Sequence, residues 1–156
     1  MSDFDTPARR RELLYRRANG KKIFSSYLKK VAELAPSAGQ ADLISLESTE
    51  TLLAEFNACR LALHELKRRI SPSGIGLVLS NISKTYRDGA YVLIDEDWMY
   101  CGALRIAEPH IINRTFRFGR EIVNDLVFIS CGMEKAISLD YFEMNGSALI
   151  DVVEWR

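Results

Sequence analysis

The apolar residues of this chain keep one rhythm before Ser73 and another after it. Thr6-Pro7 has the form of a helix start, since a Thr side chain can accept from the first free N–H groups and Pro suits the first helical position. A helical pattern runs from there to about Ala35 and stops at Pro36, with Phe24, Tyr27, Leu28, Val31 and Leu34 on one face. Asn19-Gly20 interrupts it. Gly costs about 1 kcal/mol against Ala inside a helix, so the pair predicts two helices or one with a kink, a hairpin turn being a third option. Pro36 to Glu47, rich in Ser, Ala and Gly, reads as a loop. Leu52, Phe56, Cys59, Leu63, Leu66 and Ile70 then recur at spacings of four, three, four, three and four, a seam suited to packing along another helix. Ser48 is the expected N-cap, Lys67, Arg68 and Arg69 suit the negative end, and Ser71-Pro72 ends the element. The same seam would serve a homodimer through a Leu52–Ile70 helix.

Beyond Ser73 the pattern shortens to strand-like runs: Ile75 to Leu79, Tyr91 to Ile94, Met99 to Ile106, Leu126 to Ser130, Ala136 to Phe142 and Ala148 to Trp155. Asn145-Gly146 is a hairpin turn signal, and the alternation of Ile137, Leu139 and Tyr141 with Ser138 and Asp140 predicts a sheet with one buried face. Arg120 to Asn124 reads as a loop or a short helical turn. These elements predict one α+β domain over residues 1–156, helical in 1–72 and β-rich in 73–156. An N-terminal helix hairpin is expected to pack on a C-terminal antiparallel β-sheet of about five or six strands.

Composition adds that no staple is needed: 156 residues, 47% hydrophobic and 27% charged, suffice for an ordinary globular core. The net charge of zero excludes a global field toward nucleic acid or membrane, but it hides an asymmetry. Through Pro72 thirteen Lys/Arg face nine Asp/Glu, a net of +4; from Ser73 eight face twelve, a net of −4. Cys59, Cys101 and Cys131 are odd in number and lack CxxC spacing, and MSDFDTPARRR lacks the apolar stretch of a secretory leader. Free thiols and a cytoplasmic location are expected.

Catalytic chemistry finds no motif. His64 and His110 stand outside any GxSxG, HExxH or HxxEH pattern, and Gly74 and Gly76 read as a turn rather than a phosphate loop. The expectation is a protein that is not an enzyme, with no cofactor and no metal. Asp95-Glu96-Asp97 could hold Mg²⁺ through waters, yet the remaining ligands of a cation loop are missing. Beside Trp98 and Tyr100 the run reads better as an acidic rim around aromatic anchors, the make-up of a protein-binding hot spot. Asp140, Tyr141 and Glu143, with Asp151 and Glu154, extend that acidic and aromatic character into the final hairpin. The opposite charge crowds the first helix: Arg9, Arg10, Arg16 and Arg17, joined by Arg11, Lys21 and Lys22, offer a second reading as a nucleic-acid contact. Arg114, Arg117 and Arg120 interleave with Phe116 and Phe118, whose spacing puts both rings on one side and Arg117 on the other.

The stretch FGREIVNDLVFISCGMEKAISLDYFEMNGSALIDVVEW, Phe118 to Trp155, resembles the C-terminal strands of bacterial toxin-immunity proteins, most of all the SUKH superfamily. LIDEDWMYCGALRI could occupy its earlier sheet, and immunity proteins of contact-dependent inhibition systems have a similar texture. The resemblance implies a cytoplasmic protein that neutralises a co-encoded toxin by tight binding. A non-catalytic protein-binding module, specifically an immunity protein, is therefore the leading expectation. Its surface would be Asp95, Glu96, Asp97, Trp98, Asp140, Tyr141 and Glu143. A nucleic-acid-associated regulator and a structural homo-oligomer are the alternatives, and no membrane partner is expected.

Overall fold

A computed structural model describes residues 6–119 and 123–156. Arg120 and most of the predicted Arg120 to Asn124 turn lie outside the described residues. The chain opens with α1, Pro7–Leu34, whose start is capped as expected: Thr6 Oγ1 accepts the Arg9 N–H at 3.2 Å. Asn19-Gly20 does not break this helix. Gly20 is buried, and a Cβ there would collide with the Tyr100 carbonyl oxygen. The glycine is thus explained by close approach of another segment rather than by a turn.

The next helix, α2, spans Leu46–Cys59 and is capped by Ser45, whose Oγ accepts the Ser48 N–H at 3.0 Å. It ends eleven residues before Ile70, which corrects the predicted Leu52–Ile70 seam. Leu52 and Phe56 are buried, Cys59 is exposed, and Leu66 and Ile70 belong to strand β1, Glu65–Ile70. Backbone pairing of β1 with a distant strand outweighs the helical spacing. With the continuous helix goes the structural basis for a dimer seam along it.

Ile75–Thr85 is the helix α3 and not a strand. Ile75, Val78, Leu79 and Ile82 are all buried and fall at i, i+3, i+4 and i+7, a helical period that a window ending at Leu79 does not contain. Strand β2 covers Ala90–Ile94, a single helical turn α4 covers Trp98–Cys101, and β3 covers Leu104–Ile106. The predicted strand from Met99 is therefore cut by α4 and by Gly102 at φ 88°. The remaining strands are β4, Asp125–Ser130, β5, Ala136–Met144, and β6, Ser147–Trp155. The β5–β6 turn is the expected hairpin, with Asn145 and Gly146 both at positive φ (53° and 78°).

The architecture is α+β: helices and one six-stranded antiparallel sheet in the order β1-β6-β5-β4-β2-β3. One face carries Val92, Ile94, Leu126, Phe128, Leu139 and Val152 into a core closed by Tyr27, Val31 and Leu34 of α1 and by α3. The other face carries Leu93, Ile129 and Ala136, against which α2 buries Leu52 and Phe56. Phe56 meets Trp155 edge to face, with centroids 5.8 Å apart. The helix pair runs antiparallel, Arg17 reaching Glu47 while Arg9 and Arg16 reach Glu50. At the β3 edge the segment before α2 closes the sheet, Leu43 bridging Leu104 and Ile44 N–H donating to the Ala103 carbonyl at 2.9 Å.

Candidate functional site: an acidic row across the sheet

Asp95 ends β2 in a left-handed conformation, φ 49°. Its Oδ1 accepts the backbone N–H groups of Asn124 and Asp125, each at 2.9 Å. Lys30 Nζ reaches Asp95 Oδ2 at 2.6 Å and Asp97 Oδ2 at 3.0 Å. Burial alone would lower the Lys30 pKa, but the hydrogen bonds to Asp95 and Asp97 hold it above the ordinary value. Two of the three acids in the predicted rim thus fasten a turn to α1, and Glu96 alone is exposed.

A second set of carboxylates emerges from strand register. Asp125 on β4 lies opposite Asp140 on β5, Asp140 lies opposite Asp151 on β6, and Asp151 lies opposite Arg69 on β1. Residues in register share one face of a sheet, so three carboxylates and one guanidinium form a row. Arg69 Nε holds Asp151 Oδ1 at 2.8 Å and its guanidinium lies 5.0 Å from the centre of the Phe142 ring. Asp125 and Asp140 form no ion pair among the described residues. Burial, then the hydrogen bond and charge of Asp140, then the charges of Asp95 and Glu96, push the Asp125 carboxyl up to about 7. Near neutral pH Asp125 therefore keeps its proton in a large fraction of molecules.

The predicted surface is accordingly divided. Glu96 and Asp140 stay together and gain Asp125, which the sequence reading missed. Tyr141 and Glu143 sit on the opposite face of β5 by strand alternation. There Tyr141 stacks on Phe118 with centroids 6.1 Å apart, and its hydroxyl donates to Glu143 Oε1 at 3.2 Å. Asp125 stands just before the strand that the sequence does mark; its partner is set by register, which no local signal announces.

Trp98 links the acidic turn to an apolar groove of about 430 Å³. Trp98, Met99 and Tyr100 of α4 line it with Tyr15 of α1 and Leu53 of α2, and Glu12, Arg16 and Glu50 complete the wall. Trp98 also packs beside the α2 core, so it is partly core and partly groove. Arg9 and Arg16 both grip Glu50, Arg16 Nε donates to the Met99 carbonyl at 2.5 Å, and Arg17 grips Glu47. Burial and the nearby Arg9 lower the Arg16 pKa. Three of the four arginines read as a nucleic-acid contact are thus turned onto α2 and α4, while Arg10 is exposed.

The other reactive side chains are dispersed. His64 closes the β1–β6 ladder through backbone bonds to Arg156, and exposed His110 lies 3.6 Å from Glu108. The cysteines are free, with the Cys101 thiol pushed up to about 11 by burial and by Asp97. Phe116 and Phe118 pack edge to face at 5.0 Å while Arg117 points outward, as their spacing predicts. Among the described residues no cluster of His, Cys, Asp or Glu could hold a metal, and no helix is long and apolar enough to cross a membrane. The chain was compared with protein-family models, curated proteins and solved structures. It matches none of them.

Proposed function

We infer that this chain is a non-catalytic protein-binding module acting in the cytoplasm, and specifically an immunity protein that neutralises a toxin by tight binding. The observation that carries the reading is the Asp125–Asp140 pair, which has no cation paired with it among the described residues. Like charges directly opposite on neighbouring strands destabilise a sheet, by roughly 0.2–1 kcal/mol per pair. A Lys or Arg from a partner would relieve that repulsion, draw Asp125 into its ionised form and gain a charge-assisted hydrogen bond. Trp98, packed on the same sheet face as the pair, lines an aromatic and apolar groove of the kind an anchoring side chain needs. The resemblance of Phe118 to Trp155 to immunity-protein strands supports the same reading and favours a basic toxin surface.

The test is affinity capture of the partner from the source cells with three baits: the native chain, an Asp125→Asn/Asp140→Asn variant and a Glu143→Gln variant. The double variant should lose the partner and the Glu143 variant should keep it. With the purified partner, calorimetry near pH 7 in buffers of different ionisation enthalpy should show proton release on binding. Capture by the double variant at native strength would remove the acidic row from the interface.

A further inference from the structure

Nine of the 28 residues of α1 are Lys or Arg and two are Glu. The fold sorts these cations into two sets. Arg9, Arg16, Arg17 and Lys30 turn toward carboxylates of α2 and of the Asp95–Asp97 turn. Of the others, Arg11, Lys22 and Lys29 follow the helical period onto the far side. At 100° per residue Arg11, Ala18, Lys22, Ser25 and Lys29 fall on one stripe, opposite the buried Gly20, Tyr27 and Val31. All five are exposed, with Lys21 beside them. Lys21, Lys22 and Lys29 make no ion pair among the described residues, and the one hydrogen bond of Arg11 is to the Pro7 carbonyl at 3.4 Å.

We propose that this outward stripe of α1 binds the phosphate backbone of a nucleic acid. Charge and shape both favour that occupant. Arg11 and Lys29 are about 27 Å apart along the helix, a length that passes several phosphates of either strand. Backbone binding asks only for cations and hydroxyls, which Arg11, Lys22, Lys29 and Ser25 supply. A membrane surface asks for a continuous apolar inserted face; here the large exposed apolar side chains near the stripe, Leu14 and Tyr15, stand only in the turn after Arg11, and among the described residues none lies beside Lys22, Ser25 and Lys29. A protein partner asks for a buried apolar centre, which the stripe lacks. The site is distinct from the acidic row, and it does not use the inward arginines that the sequence first points to.

The experiment is fluorescence anisotropy of the full chain with a labelled DNA duplex and a labelled RNA of matched length, over a series of salt concentrations. Binding should weaken steeply with salt, with a log–log slope of about −3 to −4 for the duplex. An Arg11→Gln/Lys22→Gln/Lys29→Gln variant should flatten the slope by nearly three and weaken low-salt binding at least about tenfold, with an unchanged melting temperature. The proposal is overturned by absence of binding at low salt or by an unchanged slope in the triple variant. It is equally overturned by preference for phosphatidylserine vesicles over the duplex. Low-salt growth in mass by light scattering, lost in the triple variant, would assign the stripe to a second copy and likewise sink it.

Discussion

Two groups of acids stand at one end of the sheet, and they could hardly be more differently placed. Asp95 and Asp97 are answered: a lysine holds both, and two backbone N–H groups close on Asp95. Asp125 and Asp140 face each other with no cation paired to either among the described residues, and Asp125 retains its proton up to about pH 7. The difference teaches that a run of acids in a sequence is no measure of acidic surface. The conspicuous triplet is mostly a fastening, while two isolated aspartates, 28 and 43 residues beyond Asp97, make the charged face. The first helix repeats the lesson in the opposite sign, with Arg9, Arg16 and Arg17 turned in and Arg11, Lys22 and Lys29 turned out.

Substitutions can break this contrast. The largest effect is expected at Asp95. Its replacement by Ala leaves Lys30 with Asp97 alone and takes the acceptor from two N–H donors, and chemical denaturation should show a loss of about 1–3 kcal/mol. Asp95→Asn keeps an acceptor and a side chain tolerant of the left-handed backbone, so it should lose less. A loss below about 1 kcal/mol in the alanine variant would mean the turn is not a fastening. At Asp140 the sign reverses: Asp140→Asn removes a like-charge contact and should stabilise the fold at pH 8 by roughly 0.2–1 kcal/mol.

Acidity sharpens the same comparison. The Asp125 carboxyl titrates near 7 in the folded chain and near 3.9 in an unfolded one, so the native state holds the extra proton between those values. Its stabilising contribution is complete below about pH 4 and is lost as pH rises through about 7. Melting temperatures followed from pH 4 to 8 should show this decline, and the Asp140→Asn variant should show less of it. The smallest effect belongs to Glu96, exposed and without an ion pair among the described residues: Glu96→Gln should leave stability within about 0.5 kcal/mol while slowing association with a basic partner.

What could be read in advance follows from how local each signal is. The Thr6-Pro7 start, the Asn145-Gly146 hairpin and the strands β2, β4, β5 and β6 were legible because capping, turn chemistry and alternation act over a few residues. The Leu52–Ile70 seam misled because Leu66 and Ile70 fit a helical period by coincidence, while their backbone is claimed by β6. Gly20 reads as a breaker until Tyr100 is placed against it. The candidate site was half legible: Asp140 and Glu96 carry it, Asp125 completes it, and Tyr141 and Glu143 were lost to the other face by one step of alternation. Pairing across strands, and for Gly20 the approach of α4, decides these, and both lie beyond any window along the chain.

The edge strand β1 has one neighbour in the sheet, β6, and its last residue, Ile70, waits for Ile150. At ribosomal speeds of about 5–20 residues per second, the wait is roughly 4–16 s. Throughout it Leu66 and Ile70 are a strand without a sheet, an invitation to pair with whatever nascent chain is nearby. Lys67, Arg68 and Arg69 sit between them, and three adjacent cations discourage such pairing. The residues that look like a helix terminus in the sequence act, on this timescale, as gatekeepers against aggregation during synthesis.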